Sequence, residues 1–156
     1  GRMPFTERDT ERLTAQIQAS EGLRLAAYRC TAGRLTVGFG HNCDASPVPG
    51  VSRVGDRITR EQADDLFSKD LSAIVWEVRK ALPWVTTLDS PRQAVLYDMA
   101  FNMGTRGLLG FRNTLRFIEA GDYKRAARNM LQSKWADDVG RRADRLADQM
   151  ATGEWR

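Results

Sequence analysis

The chain has 156 residues, 42% of them hydrophobic, a net charge of +4 and two cysteines. That length suffices for one compact domain or two lobes sharing a core, and two cysteines are too few for a disulfide framework, so Cys30 and Cys43 read as free thiols. No apolar run is long enough to span a membrane, Gly1-Arg2-Met3-Pro4 shows no secretion leader, and one histidine without a metal-spaced cluster leaves no ligand set for a metal; no cofactor is expected.

Leu13 and Ile17 stand four residues apart, which predicts an amphipathic helix from about Thr6 to Ser20. Glu21 then falls at its C-terminal end. There the negative pole of the helix and partial burial both disfavour an ionised carboxylate, which marks Glu21 as a general-acid candidate. The plain alternative is an exposed helix-end glutamate before a Gly22 stop.

Downstream, Leu35, Val37 and Phe39 alternate with Thr36, Gly38 and Gly40, so Thr36 is expected to point away from an apolar strand face. A turn centred on Gly33 sets Cys30 opposite Thr36, and residues directly opposite share a face, so Glu21, Cys30 and Thr36 can converge. A slip of one residue separates them, and cysteine alone is more often a small buried apolar residue than a catalyst.

Asp44 to Asp56, with Pro47, Pro49, Gly50 and Gly55, reads as a surface loop with room for an edge strand. Thr59-Arg60-Glu61-Gln62 is a capping box, and Ala63, Leu66, Phe67, Leu71, Ile74, Val75, Val78 and Leu82 continue at helical spacing to Pro83. Ser90-Pro91-Arg92-Gln93 predicts another N-cap, for a helix running to Gly104. Further helices are expected at 113–119, 123–131 and 141–151, the last ending before Gly153. The fold class is therefore α+β, a single domain over 1–156: an N-terminal helix and small β lobe (1–58), a connecting helix (59–82) and a helical lobe (83–156), with a cleft between the lobes.

Residues 104–156 hold 11 basic and 7 acidic side chains, whereas residues 1–103 hold 13 of each. All the net positive charge lies in the last third, which suits anionic polymers as partners, or merely a solvated helical surface.

The run Glu-Gly-Leu-Arg-Leu-Ala-Ala-Tyr at 21–28, the spacing of Glu21, Cys30 and Thr36, and Thr36-Val37-Gly38-Phe39-Gly40-His41 resemble the phage-type lysozymes, the endolysin family that includes the lysozyme of the T-even phages. The resemblance extends through Ile58-Thr59, Ala63, Leu66-Phe67 and Asp70, then Phe101, Met103-Gly104, Gly107, Gly110-Phe111, Asn113 and Leu115. It ends with Ser133, Trp135, Arg142-Ala143, Thr152-Gly153 and Trp155, covering nearly the whole chain.

This resemblance implies a lysozyme-like two-lobed fold and hydrolysis of the β-1,4 bond between N-acetylmuramic acid and N-acetylglucosamine in bacterial peptidoglycan. Glu21 would be the proton donor, and Cys30 stands where the T-even enzyme has aspartate, a departure some relatives share. Thr36 would help to position water. Two courses remain open: water oriented by Cys30 and Thr36 attacks with inversion, or a Cys30 thiolate attacks directly with retention. By the same resemblance Phe101, Asn102 and Thr114 line the sugar groove, Arg142 pairs with the catalytic glutamate, and His41 pairs with Asp70 in a structural ion pair. The expected partner is peptidoglycan, not nucleic acid or a spanned membrane, and the expected state is a monomer. The expected location is the host cytoplasm before release to the wall through a separate pore protein. Rival readings are a lytic transglycosylase, a wall-binding protein without turnover, and a membrane-disrupting protein, the last disfavoured by Asp144 and Asp148 among the C-terminal arginines.

Overall fold

The computed structural model describes residues 4–156, so the reading of Gly1-Arg2-Met3 lies outside them. The described residues form an α+β fold of helices around one small antiparallel sheet, and no helix among them is long and apolar enough to cross a membrane. The chain divides into two compact units. One comprises the residues up to Gln16 together with Ile74–Arg156, and the other is Ile17–Ala73. The helices α1 (Glu7–Glu21) and α2 (Arg60–Ala81) each run from one unit into the other.

This partition differs from the expected 1–58, 59–82 and 83–156 at the N-terminus, for a packing reason. Leu13 has no exposed surface, the Phe5 ring meets Tyr97 edge-on with centroids 5.4 Å apart, and Ser90 Oγ donates to Asp9 Oδ2 at 2.8 Å. The start of α1 therefore belongs with the helical unit. Asp9 and Thr6 also cap each other's backbone N–H groups at 2.9 and 3.1 Å, which fixes where α1 begins.

The smaller unit is built on the sheet β1 (Arg24–Arg29), β2 (Leu35–Gly38) and β3 (His41–Asn42), in that order. Central β2 is buried along its whole length, because strands cover both its edges and Ala63 and Ile58 pack close to Gly38. Phe39 and Phe67 extend this core edge to face, with centroids 5.7 Å apart. Of the edge strand looked for in 44–56, Val48 bridges to Val51 across a tight turn, and the end of the segment pairs with β1: Ala27 N–H donates to the Asp56 carbonyl at 2.7 Å and Gly55 N–H to the Ala27 carbonyl at 2.9 Å, beside a bridge of Ala26 with Arg57. The capping box at the start of α2 forms as expected: Thr59 N–H donates to Gln62 Oε1 at 2.8 Å and Gln62 N–H to Thr59 Oγ1 at 3.1 Å.

After the start of α1, the helical unit resumes with the C-terminal part of α2, followed by a 3₁₀ turn at Pro83–Thr87 that periodicity did not signal. Next comes α3 (Ser90–Leu109), whose N-cap is Asp89 rather than Ser90. The Asp89 carboxylate accepts the Arg92 N–H at 3.1 Å, and Ser90 turns instead to Asp9. Helical geometry breaks at Gly104, as expected, although a further turn continues to Leu109. Then follow α4 (Arg112–Glu119), α5 (Tyr123–Leu131), the unanticipated short α6 (Lys134–Val139) and α7 (Arg141–Thr152). Val95, Leu96, Tyr97, Met99, Ile118, Met130, Leu146 and Met150 are essentially without exposed surface and form this unit's core.

Candidate active site

All three residues proposed for chemistry lie in the smaller unit. Glu21 is the last residue of α1, half-buried, and the chain leaves the helix through Gly22 at φ 73°. Its carboxylate lies against Gly40. A Cβ there would stand 3.1 Å from Glu21 Oε1, and Gly40 has φ 78°, so glycine at 40 both permits the turn and leaves room for the carboxylate.

The hairpin register differs from the expected one. Thr36 lies opposite Tyr28, not Cys30, while Cys30 N–H donates to the Arg34 carbonyl at 3.0 Å. The shift is two residues. Because side chains alternate with a period of two, an even shift leaves Cys30 and Thr36 on one face as close diagonal neighbours. Thr36 is 5% exposed, less than an outward position implied, since β2 is central, and its hydroxyl donates to the Arg34 carbonyl at 2.8 Å.

Cys30 is partly exposed, and its thiol is held below its ordinary pKa. The leading cause is the Arg34 backbone N–H, followed by that of Ala32; slight burial opposes them, while the Arg34 guanidinium adds to them. The tip of the hairpin is thus a small anion-stabilising cradle around one sulfur. Cys43 is the opposite case: it is buried, and burial pushes its thiol up, with the charges of Asp44 and Asp70 adding.

In the same unit His41 Nδ1 lies 2.7 Å from Asp70 Oδ2, and Nε2 lies 2.8 Å from the Ser46 carbonyl. Both ring nitrogens face acceptors, which favours the doubly protonated ring. The Asp70 hydrogen bond is the largest influence; it raises the His41 pKa despite burial, and the Ser46 carbonyl and Asp70 charge add to it.

The other expected residues belong to the helical unit. Asn102 is half-buried and accepts from Trp135 Nε1 at 2.8 Å, and Trp135 meets Phe111 edge-on at 5.9 Å. Phe101 is also half-buried. Thr114 departs from expectation: it is 1% exposed, on the inner face of α4, and its hydroxyl donates to Asn129 Oδ1. Asn129, rather than Thr114, lines an open groove of about 580 Å³ with Gly110, Phe111, Arg112, Asn113, Gln132 and Ser133. Arg142 is 8% exposed, with Nε donating to Asp98 Oδ1 at 2.9 Å and Nη2 at 2.8 Å from the same oxygen.

A sequence profile described as phage lysozyme matches residues 18–151. The chain belongs to the phage lysozyme family. It is 28% identical to the pre-baseplate central spike protein Gp5 of Enterobacteria phage T4 over 97% of its own length, but it spans only 29% of that protein. A probable T4-type lysozyme of Dictyostelium discoideum is 27% identical, covering 88% of this chain and 92% of that protein. An endolysin of Acyrthosiphon pisum secondary endosymbiont phage 1 is 29% identical, with coverage of 77% and 74%. Membership makes this phage lysozyme domain a peptidoglycan hydrolase of the glycoside hydrolase kind.

Two participants escaped the sequence reading of this lysozyme domain. Asp98 sits among the apolar positions Ala94, Val95 and Met99 of α3, and a carboxylate in a buried stripe demands a cation; that was the available signal for its pairing with Arg142. Gly40 carried no comparable signal. A glycine in Gly-Phe-Gly reads as a turn, and its approach to Glu21 depends on how α1 ends beside the sheet.

Proposed function

We propose that this phage lysozyme domain is a muramidase that hydrolyses the β-1,4 bond between N-acetylmuramic acid and N-acetylglucosamine of bacterial peptidoglycan, with Glu21 as general acid and Cys30 and Thr36 positioning the attacking water. The observation that carries the reading is the placing of Cys30 and Thr36 as diagonal neighbours on one hairpin face, inside a unit that also holds the Glu21 carboxylate against Gly40. Relatives named lysozyme and endolysin support it.

Glu21 transfers its proton to the glycosidic oxygen as the bond to the anomeric carbon breaks, and positive charge develops on that carbon. Water held by Cys30 and Thr36 attacks from the opposite side and delivers a proton to the thiolate sulfur. Glu21 is left ionised and Cys30 protonated, and solvent exchange restores both. The cradle of N–H groups favours this course because it stabilises the basic form of the thiol.

The same cradle also favours a second reading, in which the thiolate attacks the anomeric carbon and the glycosyl-enzyme is then hydrolysed. The configuration of the fresh product separates them: inversion for water attack, retention for the covalent course.

The test of the function is mass spectrometry of soluble products from purified peptidoglycan. Products ending in reducing muramic acid are expected, and their release is expected to fall about 10²-fold or more in Glu21→Gln. Anhydro-muramic ends would make the domain a transglycosylase. Undiminished release by Glu21→Gln would remove Glu21 from the mechanism.

A further inference from the structure

The hairpin face that carries Cys30 and Thr36 also carries the Tyr28 side chain. Tyr28 pairs directly with Thr36 across the β1–β2 ladder, and Cys30 follows it by two residues, so pleating puts all three on the same side. The ring is half-buried, and the Arg24 guanidinium stacks over it at 4.1 Å from the centroid, which fixes its orientation. The phenol lies within electrostatic reach of both Cys30 and Glu21.

A water molecule has two O–H bonds and two lone pairs. At this site the Cys30 sulfur is an acceptor, and so is the Thr36 oxygen, because the Thr36 proton is directed to the Arg34 carbonyl at 2.8 Å. Two acceptors take both protons of the water and leave both lone pairs undirected. One donor on the same face would engage one lone pair and leave a single one for attack on carbon.

We propose that the Tyr28 hydroxyl is that donor, a further positioning residue of the site that completes the hydrogen-bond shell of the attacking water. The inference rests on the muramidase reading above. Burial raises the phenol's pKa, and although Arg24 opposes this, the charges of Cys30 and Glu21 add to it, so the phenol retains the proton that a donor needs.

The experiment compares wild type with Tyr28→Phe on solubilised, uncross-linked glycan strands. Tyr28→Phe keeps the ring and its stack with Arg24, so Tm is expected to stay within about 2 °C, while kcat falls about 10-fold or more and KM stays within about twofold. A second variant carries a ring-fluorinated tyrosine at position 28, whose phenol ionises at lower pH. Its alkaline limb of kcat is expected to move down, which a packing role cannot produce. An unchanged kcat in Tyr28→Phe, a loss confined to KM, a loss that tracks Tm, or an unmoved alkaline limb would each overturn the assignment. If wild type itself releases no muropeptides, the muramidase reading fails; if wild type turns over and Tyr28→Phe matches it, only this inference fails.

Discussion

At His41, two acceptors at 2.7 and 2.8 Å turn a lone histidine into a pH-dependent brace. Its folded pKa lies above the ordinary 6.5, so the stability it contributes is fully present below the unfolded value and is lost as pH rises through the folded one. Asp70→Asn is therefore expected to lower unfolding stability by about 1.5–3 kcal/mol at pH 5.5, the range for a hydrogen bond to a charged group, and by much less at pH 9. Urea unfolding at both pH values measures this, and an equal difference at the two would remove the ion pair as its cause. Cys30 shows the same residue-scale logic with the opposite sign, since here backbone N–H groups stabilise an anion. Neither effect depends on the residue type alone. Each depends on what the neighbouring backbone presents.

Among the elements, α7 shows how a helix end is secured from elsewhere in the fold. Arg92 donates to the Met150 carbonyl at 2.7 Å and the Ala151 carbonyl at 3.0 Å, while its guanidinium stacks over Tyr123 at 3.7 Å. A cation at the carbonyl end of a helix also complements its dipole. Gly153 follows at φ 73°, where a Cβ would stand 2.8 Å from Arg92 Nη1, so only glycine allows both the left-handed turn and the arginine. Gly153→Ala is expected to destabilise by at least about 1–2 kcal/mol, the scale of a left-handed non-glycine residue. Arg92→Met is expected to cost about 2 kcal/mol through the carbonyls it leaves. The double variant checks the coupling: thermal or denaturant unfolding should give less than the sum of the two, because the clash at 153 needs the arginine. Strict additivity would show that the two act separately.

Across the whole molecule, net positive charge is concentrated in residues 104–156, and Arg112, Arg116 and Arg128 are all exposed on α4 and α5. Exposed charges act over about a Debye length, near 10 Å at 0.1 M salt. Replacing the three arginines by glutamine is therefore expected to weaken sedimentation with intact cell walls at low salt and to leave it nearly unchanged at high salt. The same salt dependence in variant and wild type would show that this surface does not carry wall attraction.

What the sequence determined by itself was a set of features governed by local chemistry or period. The capping box at Thr59 and Gln62, the breaks at Gly22, Gly104 and Gly153, the helices expected at 113–119, 123–131 and 141–151 and found within a residue of those bounds, and the family resemblance through Glu21, Cys30 and Thr36 were all legible, because each signal lies within a few residues of its effect. The N-cap of α3 moved to Asp89 because α1 supplied Asp9 as another partner for Ser90, and no local pattern announces that. The sharing of one hairpin face by Cys30 and Thr36 survived a wrong register only because the shift was even. Tertiary structure alone decided the burial of Thr114 and its bond to Asn129, the pairing of Asp98 with Arg142, and the place of Gly40 beside the acid. The physical reason is the same in each case. Partners separated by between 15 and 44 residues meet only when packed elements bring them together, and the desolvation that makes such pairs matter exists only in the folded chain.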